Sequence, residues 1–495
     1  MKENFKLHYS IFALVLFVCT LYFGYAAQQV AFWQMLPVFA GFFGIYLWII
    51  YLPKAYFKAK RFYWWIALAM LLRFSLLFAI PTLSDDIYRF IWDGRLLQNG
   101  INPFAQLPAY YIEQASFPKG ITPALFEQLN SPNYYTIYPP IAQLTFFVAT
   151  WLFPESIWGS SFVMKTFLFA FECGNIYLLI KLLPQFGIDR TKALIYALNP
   201  LIVIEITGNL HFEGAMIFFL LLSLFFLLKS EMKWRCSQRE SSLSSSDLSS
   251  MTTKKEMYPN SVSLSENQNN QERKKANLYF ILSASTFALS IASKLLPLLF
   301  LPLFIKRLGW WKSLVYFSII GMLTLLLFVP LLSGVFVQNF GESLNLYFQK
   351  FEFNASIYYV ARWVGFQLKG FNLIAKLGPA LAFATFLSIL ALSFFHSSKR
   401  IKDLPLLMLF AISMYLSFTT TVHPWYVSLP LVLCCFTAFR YPILWSGLIF
   451  LTYINYSYAT YQENLWVVAL EYSLIGTYFL WEYFFKKKGK PSNIL

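Results

Sequence analysis

Apolar runs recur along the chain from Ser10 to Phe485, separated by short polar connections. A hydrocarbon core about 30 Å thick takes roughly 20 apolar residues per helix, and the runs at 10–27, 31–52 and 62–81 match that length. The pattern predicts an all-α polytopic membrane protein, a bundle of about 12 to 14 transmembrane helices with interfacial helices in its outer loops. Two runs depart from it. Tyr138 to Phe153 is short and opens on Pro139-Pro140, which predicts a re-entrant helix or one lying at the outer interface. Ala276 to Ile305 begins and ends on the same side, which predicts a hairpin broken near Ser293, Lys294 and Pro297. Irregular backbone at membrane depth is tolerated only where protein covers it or it lines a polar cavity. Both breaks therefore point to a site near the outer leaflet.

Charge gives the threading its direction, because Lys and Arg close to spans lie on the cytoplasmic side. Lys2 and Lys6, the cluster Lys54, Lys58, Lys60 and Arg61, then Lys181, Arg190 and Lys192, the basic residues of 229–275, Lys306, Arg307 and Lys312, Lys399, Arg400 and Lys402, and the tail 486–490 all read as inside. Both termini are then cytoplasmic, and the long segments 82–137 and 334–370 are outside. The chain divides into an N-terminal transmembrane part, 1–230, a cytoplasmic linker, 231–275, and a C-terminal transmembrane part, 276–495. The linker is rich in Ser, Asn, Gln, Glu and Lys, which predicts disorder. Lys2 to Ala27 shows no small-residue cleavage site and reads as a retained first helix.

Composition excludes several classes. With 58% hydrophobic, 20% aromatic and 13% charged residues, the chain is no soluble globular domain. The net charge of +16 is spread over connections rather than gathered on one face, so it reflects topology and not a nucleic-acid partner. Five cysteines without metal-ligand spacing exclude a disulfide framework or a zinc site.

Ionisable residues at or near membrane depth are functional candidates by default. The strongest group is Ser84-Asp85-Asp86-Ile87-Tyr88-Arg89-Phe90-Ile91-Trp92-Asp93-Gly94-Arg95. Asp86, Arg89 and Asp93 share one face of a helix, with Ile87, Phe90, Ile91 and Leu97 alongside. An interfacial helix with a charged face is expected, capped by Ser84 or Asp85 and stopped at Asn99-Gly100. Taken alone, Asp85 could simply cap it and Arg89 pair with neighbouring carboxylates. Outside it is joined by Asn209, His211 and Glu213 at a span junction, Lys294 at the broken hairpin, Glu352 and Arg362 in 334–370, and His423 before Pro424.

Such a set suits transfer of a sugar from a phosphate leaving group to a hydroxyl. Asp85 or Asp86 would take the acceptor proton, and Arg89, Lys294, Arg362 or His423 would stabilise the departing phosphate. Asp93, Arg95, His211, Glu213 and Glu352 complete the candidate substrate-binding residues. A prenyl-linked donor would need an apolar groove open to membrane lipid. The competing class is a transporter or lipid flippase, against which stand the long outer segments and the lack of visible repeats. A membrane scaffold without chemistry is a third.

The stretch from Asp85 to Arg95, followed by Gly100-Ile101-Asn102-Pro103-Phe104, resembles the first outer loop of bacterial GT-C glycosyltransferases of the polyprenol-phosphate-mannose-dependent mannosyltransferase type. So do Tyr138-Pro139-Pro140, Asn199-Pro200-Leu201 with Glu205, Gly208-Asn209-Leu210-His211 and Phe351-Glu352-Phe353-Asn354-Ala355-Ser356, in order across most of 80–430. The resemblance implies a GT-C-like bundle in the bacterial cytoplasmic membrane with its site on the extracytoplasmic face. It further implies a polyprenyl-phosphate hexose donor, with mannose as the sugar, a glycan or lipid acceptor, inversion, and an acidic catalytic residue in the first large outer loop. Relatives often carry an acidic pair separated by one residue, whereas Asp85 and Asp86 are adjacent. Which is the base, and whether the other positions the acceptor or a metal, stays open. Some members use a divalent cation and others none, so the cofactor stays open too.

Overall fold

The computed structural model describes residues 2–249 and 259–485, with side chains for 9–238, 269–343, 345 and 350–485. Its main helices are α1 (Lys2–Tyr25), α2 (Phe32–Ile50), α3 (Ala59–Ser75), α4 (Asp86–Gln98), α5 (Pro140–Leu152), α6 (Ile157–Gln185), α7 (Glu213–Ser249), α8 (Pro259–Ser293), α9 (Trp310–Phe328), α10 (Ile374–Phe395), α11 (Leu404–Phe418) and α12 (Leu465–Phe485). Among the described residues there is no strand, only an isolated parallel bridge between Phe353 and Thr421. The chain is a multi-pass all-α membrane protein.

Seven helices among the described residues are long and apolar enough to cross a membrane, or eight if one bent pair counts as a span. Fewer runs than the expected 12 to 14 form long straight helices, because several are interrupted. Arg190–Ala197 and Pro200–Gly208 meet at 55°. Pro200 lacks an N–H and drives Asn199 into extended backbone. Asn199 then caps the next helix, accepting from the Ile202 N–H at 3.3 Å, and donates to Ser446 at 2.9 Å.

The break expected after Ser293 is present. α8 ends there and the chain doubles back, so that Phe304 meets Phe287 with ring centroids 5.3 Å apart. Helix α5 has 13 residues, about 20 Å at 1.5 Å per residue, too short to cross and placed against α4 and α6. Helix Ile357–Lys369 exposes Val360, Trp363 and Leu368, as an interfacial helix should.

Tertiary contacts join the basic connections. Lys54 lies 3.9 Å from Asp189, Arg190 covers the Phe62 ring at 5.3 Å, Lys192 donates to the Thr437 carbonyl at 3.3 Å, and Lys306 to that of His396 at 2.6 Å. Helices α3 and α11 start at such a basic connection and end toward Asp85 and His423 respectively, while α8 ends at Lys294.

Two expectations need correction. Helix α4 is not a surface helix with a wet charged face: Arg89, Asp93 and Arg95 are buried along with Ile87, Phe90, Ile91, Trp92 and Leu96. The loop behind it folds back, so Tyr111, Ile121, Leu125 and Leu129 join α5 in enclosing it. Part of 231–275, expected to be disordered, is helical as well. α7 continues to Ser249 and α8 starts at Pro259, with Lys233 2.6 Å from Glu272 and Ser230 donating to the Ala276 carbonyl at 2.8 Å. Extending an existing spanning helix needs no new nucleus. The centre of the expected linker, 250–258, and the basic tail, 486–490, lie outside the described residues.

Helices α4 and α5 meet closely at Gly94, where a Cβ would come within 2.5 Å of the Phe146 carbonyl oxygen and 2.7 Å of Thr150 Oγ1. Beside it the Phe90 and Phe146 rings stack at 4.5 Å. We expect Gly94→Ala to destabilise the protein by about 1–3 kcal/mol, measured as a lower melting temperature in detergent, and Gly94→Leu to do more. An unchanged melting temperature for both would show that the two helices do not depend on this approach.

Candidate functional site

A cavity of about 430 Å³ lies where α4, α7 and α8 meet the loops that follow α11. Its walls carry Asp85, Asp86 and Arg89, then Asn130 and the segment 134–139, Leu210 to Glu213, Ser293 to Leu296, Phe351 and Phe353, His423 to Tyr426, and Tyr453 and Tyr456.

At the acidic corner Asp85 occupies the N-cap position of α4 but makes no side-chain capping bond. Asp86 is engaged: its Oδ1 accepts from Asn130 Nδ2 at 2.7 Å. Asp85 is exposed and lines the cavity. Partial desolvation of its carboxyl against the wall, with the charge of Asp86 beside it, raises its pKa above the ordinary carboxylate value.

Below them Arg89 Nε meets Asp93 Oδ1 at 2.9 Å, and Arg89 Nη1 donates to the Ser131 and Tyr134 carbonyls at 3.0 and 2.9 Å. Asp93 Oδ2 accepts from Thr136 and, at 2.9 Å, from Gln143. Arg89 thus borders the cavity with its charge committed to holding the 131–136 segment. Asp93 lies behind the wall, and Arg95 is spent on the Gly120 carbonyl at 2.7 Å. Neither of these two reaches the cavity, because the back-folded loop uses them to hold itself in place.

The cationic corner is Lys294. It pairs with Glu213, joining the end of α8 to the start of α7, and its ammonium lies 4.8 Å over the Tyr426 ring. The Lys294 side chain is 29% exposed and that of Glu213 1%, so the ammonium keeps a face toward the cavity.

Four rings form a column along one wall. His211 stacks on Trp425 at 3.7 Å, Trp425 on His423 at 4.5 Å, and His423 on Phe353 at 4.9 Å. Extended backbone at His423, imposed by Pro424, and the bridge between Phe353 and Thr421 set this register. Burial, then the charges of Lys294 and His211, push the His423 pKa down to about 3. Its enclosed position therefore favours the neutral imidazole.

Glu352 and Arg362 pair with each other, outside this cavity. Glu352 also accepts from Tyr358 and Asn372, and the Arg362 guanidinium lies 4.3 Å over the Tyr359 ring. Arg362 borders a second cavity, of about 920 Å³, whose walls include Val360, Trp363, Phe366, Trp445 and Phe479.

The fold thus gathers Asp85, Asp86, Arg89, His211, Glu213, Lys294 and His423, and leaves Asp93, Arg95, Glu352 and Arg362 elsewhere. Asn130, Tyr453 and Tyr456 were not among the candidates. Asn130 carries no signal, since only the folding back of its loop brings it to Asp86. Tyr453 and Tyr456 flank Asn455 within an apolar run, a polar interruption that marks them. Among the described residues no group of three or more His, Cys, Asp or Glu is placed to hold a metal ion.

No curated protein matches the chain significantly. A family model described as alpha-(1->6)-mannopyranosyltransferase, N-terminal domain, matches residues 12–308, more than half of the chain and all of the gathered residues except His423. The chain belongs to this alpha-(1->6)-mannopyranosyltransferase family and is a membrane glycosyltransferase.

Proposed function

We propose that the protein moves a mannosyl group from a polyprenyl-phosphate donor to a hydroxyl of a glycan or lipid acceptor on the extracytoplasmic face, with inversion and with Asp85 as general base. One observation carries the reading: an unengaged carboxylate and a cation held on a neighbouring helix end open into the same cavity.

In this mechanism the acceptor oxygen attacks the anomeric carbon and the bond from that carbon to the phosphate oxygen breaks. Asp85 takes the hydroxyl proton, which in such reactions contributes about 10²–10⁴-fold. The Lys294 ammonium offsets the charge on the departing polyprenyl phosphate in a site of reduced dielectric. The linkage in the family's description supports a 6-hydroxyl as acceptor. An α product formed with inversion requires a β-linked donor. The second cavity, lined largely by apolar and aromatic side chains, supports a donor with a long hydrocarbon tail. The gathering of basic connections at the helix ends remote from Asp85 and His423 supports an extracytoplasmic site.

Purified protein is expected to consume a polyprenyl-phosphate mannose and to leave a nucleoside-diphosphate mannose untouched; the opposite preference would remove the lipid donor. Asp85→Asn should stay folded and lose about 10²–10⁴-fold in turnover, and full activity would remove Asp85 as the base. A base must be ionised to accept a proton, so activity falls as pH drops through the raised Asp85 value. Asp86→Asn removes one cause of that raising and should move the acid limb of the kcat/KM profile to lower pH, whereas an unmoved limb would uncouple the pair. In a background without native cysteines, Tyr110→Cys should be labelled by an impermeant reagent from outside the cell and Lys399→Cys should not. The reverse labelling would put the cavity on the cytoplasmic side.

A further inference from the structure

Glu205 lies outside the cavity but meets two residues of its wall, Tyr453 and His211, and one beside it, Asn209. It sits in the π-helical turn Val203–Gly208, 1% exposed. Turns of this kind insert a residue and recur at functional sites. Its Oε1 accepts from the Tyr453 hydroxyl at 2.6 Å. Its Oε2 accepts from Asn209 Nδ2 at 3.3 Å and lies 3.3 Å from His211 Nε2.

Each partner leads into the cavity. Tyr453 lines it directly. Asn209 accepts from the Leu83 backbone N–H at 3.4 Å, two residues before Asp85. His211 begins the ring column through Trp425 to His423. Between Asn209 and His211 the chain adopts a left-handed conformation at Leu210, φ 65°. A residue with a Cβ holds that conformation only where its surroundings over-determine it, and the carboxylate of Glu205 accepts from Asn209 on one side of the turn and lies against His211 on the other. A buried carboxylate within an apolar run is also expensive to keep.

We infer that Glu205 is a positioning residue for glycosyl transfer, fixing the ring wall relative to the segment that carries Asp85 without touching substrate. The inference rests on the transfer reaction proposed above. Its test compares E205Q with the native protein. Glutamine keeps the size and an acceptor for Tyr453 but loses the charge facing His211.

With polyprenyl-phosphate mannose we expect kcat to fall about 100-fold, the scale of a small misplacement of reacting groups, with KM and melting temperature near the native values. E205D, which restores the charge, should recover part of kcat. The double variant E205Q/H211N should be no slower than H211N alone. The chain has 4 His residues, so imidazole-labelled NMR in detergent can follow His211 and His423. E205Q is expected to shift both through the ring column.

A native kcat in E205Q, losses that add to those of H211N, or a fall in kcat that only tracks a fall in melting temperature would each overturn the inference. If the native protein does not consume that donor, the donor reading fails. The NMR comparison then decides alone, and unshifted His211 and His423 resonances would overturn the positioning role.

Discussion

A charge inside a lipid-embedded bundle must find its partner within the protein, since placing one unpaired at the membrane centre costs about 2.5–3.5 kcal/mol even on the mildest scales. The architecture here follows from that requirement. Deep in the bundle Arg73 Nε meets Glu172 Oε2 at 2.9 Å, and Arg73 Nη1 donates to the Ala69 and Ala197 carbonyls at 3.1 and 2.6 Å. Glu172 accepts in turn from Asn175 and from the Tyr196 hydroxyl. Asn175 donates to the Gly214 carbonyl at 2.9 Å, next to Glu213. One ion pair thereby joins α3 and α6 to the bent pair of helices and reaches the floor of the cavity. Asp85 differs from Arg89, Asp93, Glu172 and Glu213 in being exposed, in lining the cavity and in having no ion-pair partner among the described residues.

Broken helices complete the arrangement. Where a span ends early, its last backbone groups and side chains can face a cavity instead of lipid. The breaks at Asn199-Pro200 and after Ser293 do this, bringing His211, Glu213 and Lys294 to the same space from different helices. The two cavities differ physically. One concentrates ionisable side chains and ordered rings, and the other offers apolar wall with Arg362 at its margin.

Several of these features were legible in the residues. The helix from Asp86, its stop at Gly100 with φ 69°, and the hairpin break at Lys294 each have a local cause: helical periodicity, a glycine that accepts left-handed backbone, a polar residue with a proline three positions on. The burial of α4 was not legible, because it depends on a loop that returns from up to some 45 residues away. That return turns Arg89 and Asp93 from surface charges into a buried pair, and it brings Asn130 to Asp86. His423 shows the same limit, since its residue type suggests a cation whereas its stacked, enclosed position favours the neutral form.

By itself, then, the sequence determined the solvent of the protein, the helical nature of its elements and the segment that carries Asp85 and Asp86. These follow from hydropathy, helix periodicity and charge counted over neighbouring residues, all of them short-range properties. Tertiary structure alone decided which charges pair, which carboxylate is left unengaged, and that Glu205 joins the turn 209–211 to Tyr453. Partner choice among buried charges depends on distances of a few ångströms between residues up to about 250 positions apart, and only the packed bundle sets those distances.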